Sequence, residues 1–78
     1  MSKTDKLLES IRNNPRDVRF SDAVKLASSY FGSPRIDGSH HVFTVPGNQR
    51  VNLQEGKNGK AKGYQVEQLL KAIDLLAE

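Results

Sequence analysis

The 78-residue chain contains no cysteine and no tryptophan, and it has only one methionine, two histidines and five Phe or Tyr residues. Without cysteine, a disulfide framework, a thiolate metal site and cysteine-based nucleophilic catalysis are all excluded. The two histidines, His40 and His41, are adjacent, so a zinc site would have to be completed by carboxylates. No apolar run exceeds three residues, which is too short to span a bilayer. The amino-terminal Met1-Ser2-Lys3-Thr4-Asp5 is not followed by the apolar stretch of a secretory signal. Gly-rich phosphate loops, dinucleotide fingerprints, zinc-protease helices and nucleophile elbows are missing as well. These absences lead to the expectation of a soluble, cytoplasmic protein with no membrane association, no metal and no cofactor. Its length allows one domain with a thin core.

Charge is the first positive signal. The net value is +3, and the basic excess lies in the middle of the chain. Residues 35–62 carry Arg35, Arg50, Lys57, Lys60 and Lys62 against Asp37 and Glu55, whereas residues 63–78 carry Lys71 against Glu67, Asp74 and Glu78. A local cationic excess favours a polyanion such as RNA through phosphate neutralisation and counterion release. A solvated lysine-rich loop accounts for the same charges equally well.

Periodicity divides the chain into elements. Leu7, Leu8 and Ile11 fall at helical spacing, with Thr4 as the expected N-cap and Asn13-Asn14-Pro15 as the stop. A second helix is expected after Ser21, with the stripe Ala23, Val24, Ala27, Tyr30 and Phe31 and an end at Gly32. Val18 and Phe20 read as a connector. Arg35-Ile36-Asp37, then His41 to Val45, then Arg50 to Leu53 read as three strands. They are separated by the turns Gly38-Ser39 and Pro46-Gly47-Asn48. Gln54 to Gly63, with its glycines and lysines, reads as a mobile loop. A last helix from Tyr64 to Ala77 presents Val66, Leu69, Leu70, Ile73 and Leu76. The order α-α-β-β-β-α predicts an α+β fold in which helices cover one face of an antiparallel meander. Residues 1–17 form a helical extension and residues 18–78 the main domain.

The chemistry concentrates at Gly38-Ser39-His40-His41. Imidazole exchanges a proton near neutral pH, so it can act as general acid or base without a metal. RNA carries its own nucleophile, the 2′-hydroxyl. One positioned imidazole and nearby cations therefore suffice for transesterification. Two histidines in sequence on a strand project to opposite faces, leaving only one for the open side. The competing reading is that one packs under a helix and the other is merely solvated.

Gly38-Ser39-His40-His41-Val42-Phe43, then Val51-Asn52-Leu53-Gln54, then Gly59-Lys60-Ala61-Lys62-Gly63-Tyr64-Gln65-Val66 resemble, in this order and spacing, the HicA toxins. These are mRNA-cleaving partners of HicB antitoxins in bacterial and archaeal toxin–antitoxin pairs. The likeness runs from Val18-Arg19-Phe20 to the end, and residues 1–17 resemble the extra helix of longer members. It implies a fold like the double-stranded-RNA-binding domain, α-β-β-β-α in two layers, and a metal-independent endoribonuclease acting on mRNA. It also implies a HicB-like antitoxin as partner. By this resemblance His40 is the catalytic acid/base, with His41 in reserve, and Gly38 and Ser39 form the turn that presents it. Lys57, Lys60 and Lys62, with Arg35, are the expected phosphate contacts. One departure stands out: many relatives have proline where this chain has Gly63. Two other functions fit the same residues, a non-catalytic RNA-binding module and a protein-interaction domain whose partner covers the open sheet.

Overall fold

The computed structural model describes residues 2–47 and 49–76. Helix α1 spans Lys3–Asn13, and its cap is Ser2, whose Oγ accepts from the Asp5 amide at 3.1 Å. The expected cap, Thr4, lies inside the first turn instead. Asp5 complements the positive end of the helix dipole, and Pro15 follows the cap at Asn14.

Helix α2 spans Phe20–Phe31 and starts before Ser21, the cap read from the sequence. Arg19 explains the shift. It is extended because it bridges to Lys60, and its carbonyl accepts the Ala23 amide at 3.0 Å, which opens the helix immediately afterwards. Phe20 therefore belongs to α2, while Val18 stays in the connector and is buried. Gly32 ends α2 at φ +83°, where a side chain would be strained.

Strands β1 (Arg35–Asp37), β2 (His40–Val45) and β3 (Gln49–Gln54) form an antiparallel meander in that spatial order. β2 begins one residue earlier than the sequence suggested, and β3 extends one residue further at each end. Helix α3 runs Gly63–Leu76. The expected turn residue Asn48 and the expected helix end Ala77 lie outside the described residues.

The result is an α+β protein in which α2 and α3 pack on one face of the sheet. Its fully buried centre is Phe43, Leu26, Leu53, Leu69 and Val66. Leu26 was not in the stripe read from the sequence; three and four residues from Ala23 and Tyr30, it lies on the same face. Ile11 joins this core, so α1 shares it, and an Arg12–Asp74 ion pair also ties α1 to α3. The sheet outruns its cover at β1, where Ile36 is 64% exposed. No helix among the described residues is long and apolar enough to cross a membrane.

The segment expected to be a mobile loop is bonded to its surroundings. Lys57–Gly59 is a single 3-10 turn, closed by Gly56 N–H donating to the Lys60 carbonyl at 2.7 Å. The Ala61 amide donates to the Val18 carbonyl at 2.8 Å, and Glu55 bridges to Ala61. Gly59, at φ +72°, supplies turn geometry here, so its presence signals a tight reversal and not a loose chain.

Candidate active site

Residues directly opposite in an antiparallel pair share a face, and successive residues alternate. His41 lies opposite Leu53 and Phe43 opposite Val51; with Val45 they face the helices. His40 lies opposite Gln54 on one side and Asp37 on the other, and Val42 opposite Asn52 and Arg35. These residues, with Thr44 and Arg50, make the open face. The expected split of the histidine pair is thus present: the His41 ring meets the Phe20 ring edge-on, with centroids 5.0 Å apart. Its buried Nδ1 has no hydrogen-bond partner among the described residues.

His40 is held differently. Its Nδ1 lies 3.1 Å from Asn52 Oδ1, the diagonal neighbour on β3. With the amide oxygen facing the ring, Nδ1 must donate, which assigns the proton to Nδ1 in the neutral imidazole and leaves a lone pair on Nε2. That is the form a general base requires. The turn before it is fixed by Gly38 at φ +62°, the first of two residues linking β1 to β2. Among the described residues, none beyond its two chain neighbours lies within 4 Å of where its Cβ would be, so the backbone angle is what calls for glycine.

Beside His40 runs a chain of polar contacts. Gln54 Nε2 donates to Ser39 Oγ at 3.3 Å, and Lys62 Nζ donates to Gln54 Oε1 at 3.3 Å. The Gln54 backbone amide donates to the side-chain oxygen of buried Gln65 at 2.8 Å, and Gln65 Nε2 donates to the Tyr64 hydroxyl at 3.4 Å. Gln65 therefore docks the start of α3 against the end of β3. The Lys62 carbonyl accepts from the amides of Gln65 and Val66, at 3.0 and 3.1 Å, so Lys62 occupies the N-cap position. A base, an ammonium group, a helix amino terminus and two hydroxyl groups thus gather around one end of the β2–β3 pair. Such a set can move a proton next to an anion.

The expected phosphate contacts do not act as one group. Lys62 is tied into the network beside His40. Lys60 is ion-paired with Asp17 in the α1–α2 connector, and Lys57 is exposed in the 3-10 turn. Arg35 is exposed on β1, opposite Val42. Asn52, Gln54, Gln65 and Tyr64 lie in the blocks that carry the resemblance but were given no part in the site, although Asn52 and Gln54 carry a usable signal. They are the polar alternates of β3, and once the hairpin register is set they must share a face with His40. Among the described residues, no three or more His, Asp or Glu side chains gather so as to hold a metal ion. No protein-family model, curated protein or solved structure matches this chain.

Proposed function

We propose that the protein is a HicA-like toxin, a metal-independent endoribonuclease that cleaves mRNA with His40 as its acid/base. The observation that carries this reading is the Nδ1–Asn52 contact at 3.1 Å, which leaves Nε2 of an open-face histidine free to accept a proton. Nε2 takes the proton of a ribose 2′-hydroxyl, whose oxygen attacks the adjacent phosphorus. The 5′-oxygen leaves and takes a proton from solvent. The products are a 2′,3′-cyclic phosphate and a 5′-hydroxyl, so atoms and charge balance without an added reactant. The Lys62 ammonium offsets the negative charge that grows on the phosphate, and Ser39 and Gln54 hold the turn and the lysine in place.

The fold supports the same reading. The order α2-β1-β2-β3-α3, with helices on one face of a meander, is the order of the double-stranded-RNA-binding domain. In this proposal the protein is cytoplasmic and a HicB-like antitoxin is its partner. The test is incubation of long RNA in EDTA with wild type, His40→Ala and Asn52→Ala, alongside RNA binding by each. Loss of cleavage with binding retained in His40→Ala supports the reading. Binding without cleavage by the wild type would make this an RNA-binding module instead.

A further inference from the structure

The two edges of the sheet differ. The β1 edge is three residues long and follows Pro34, two devices that discourage strand pairing. The β3 edge is six residues long and has no proline. The Gln54 amide points away from β2, since it donates to Gln65. Peptide groups two residues apart in a strand point the same way, so those of Asn52 and Arg50 also face outward. Among the described residues no backbone group outside the sheet pairs with either.

Along this edge, between β3 and α3, runs a groove of about 310 Å³. Gln68, Lys71, Ala72 and Leu75 form its helical wall, at the spacing of one helix face, and Val45 and Arg50 lie on the sheet side. Leu75 is 46% exposed there. Among the described residues the lining has two cations, no carboxylate and no aromatic ring.

We propose that this groove docks an extended acidic peptide segment of a protein partner, which adds a strand to β3. Unpaired amides and carbonyls provide the ladder, Val45, Ala72 and Leu75 take alternate apolar side chains, and Arg50 and Lys71 take the acidic ones. A single nucleic-acid strand is also acidic, but it gains much of its hold by stacking bases on aromatic side chains, and this groove offers none. The groove lining includes neither His40 nor Asn52, and the ladder would use only the Asn52 backbone, so the proposal does not depend on the ribonuclease reading.

The experiment pans a random-peptide library displayed on phage against the full chain, then follows the enriched peptides by amide hydrogen exchange. The expected winners alternate acidic with β-branched residues and protect the Arg50 and Asn52 amides. They should lose roughly tenfold in affinity for the Arg50→Glu/Lys71→Glu protein and for Leu75→Glu. All three positions are exposed, so the variants should fold, as circular dichroism would verify. A library that yields no binder overturns the proposal. So do winners that bind the charge-reversed protein equally well, or a short single-stranded RNA that protects these amides where peptides do not.

Discussion

His40 and His41 share a peptide bond, yet the fold treats them as different kinds of residue. His40 faces the open side, with its Nδ1 3.1 Å from Asn52 Oδ1. His41 faces the helices, meets Phe20 edge-on and, among the described residues, leaves its Nδ1 without a partner. Nothing intrinsic to the side chain decides this. The two-residue turn at Gly38-Ser39 sets the register of β2, and a slip by one residue would exchange the two environments. Strand alternation alone separates the open-face imidazole from the packed one.

Truncating neighbours on the two faces should separate them most. Phe43 is 1% exposed, and Phe43→Ala should cost about 3–5 kcal/mol. For so small a domain this is most of the folding free energy. Thr44, the next residue on the open face, should change stability by no more than about 0.5 kcal/mol as Thr44→Ala. Urea melts of the two proteins check the pair.

A sharper version swaps rings. His41→Phe keeps an aromatic ring against Phe20 and removes the orphaned nitrogen, so it should stabilise by about 1 kcal/mol and leave RNA cleavage intact. The same substitution at His40 should leave no cleavage. Thermal melting and a cleavage assay on both variants read the outcome. A destabilised His41→Phe protein would show that the buried nitrogen has a partner.

The entrance to α3 allows a smaller effect. Gly63 is the first helical residue, its amide makes no backbone bond among the described residues, and its φ lies outside the left-handed region. Proline is pre-organised for that position. Gly63→Pro should therefore raise stability by about 0.4–1 kcal/mol, chiefly by restricting the unfolded chain. The melting temperature should rise with cleavage unchanged, and a fall would mean that Lys62 cannot adopt the extended backbone proline demands.

The smallest effect is at the α1–α3 contact. A side-chain hydrogen bond from Arg12 holds the Asp74 carboxyl below its usual range. A depressed carboxyl contributes stability above its unfolded pKa and loses it as pH falls through the folded one. Wild type and Arg12→Ala should therefore differ slightly at neutral pH and converge in acid. A gap that persists in acid would assign the contact to packing.

The strands and turns were legible because β-branched alternation, Gly38-Ser39 and Pro46-Gly47 are local signals. So was the histidine split, which follows from alternation once β2 is placed. The helix starts were less so. Arg19 is held extended by Lys60, more than forty residues away in sequence, and no local cap signal reports that bridge. The same long-range pairing turned an apparently mobile loop into a bonded segment. Asn52 and Gln54 needed the hairpin register, and Gln65 could not be placed without knowing where α3 begins relative to β3. Composition cannot reveal that Lys60 is occupied by Asp17 while Lys62 reaches Gln54, the residue opposite His40 on β3.

In the proposed site Asn52 fixes the Nδ1–H form of His40 and leaves Nε2 as an open-face base. Ring 15N shifts of the neutral imidazole, taken from a long-range 1H–15N spectrum of the folded protein, test it without any substrate. His40 should be protonated at Nδ1 in the wild type and lose that preference in Asn52→Ala. A wild-type His40 protonated at Nε2, unchanged by Asn52→Ala, would contradict it.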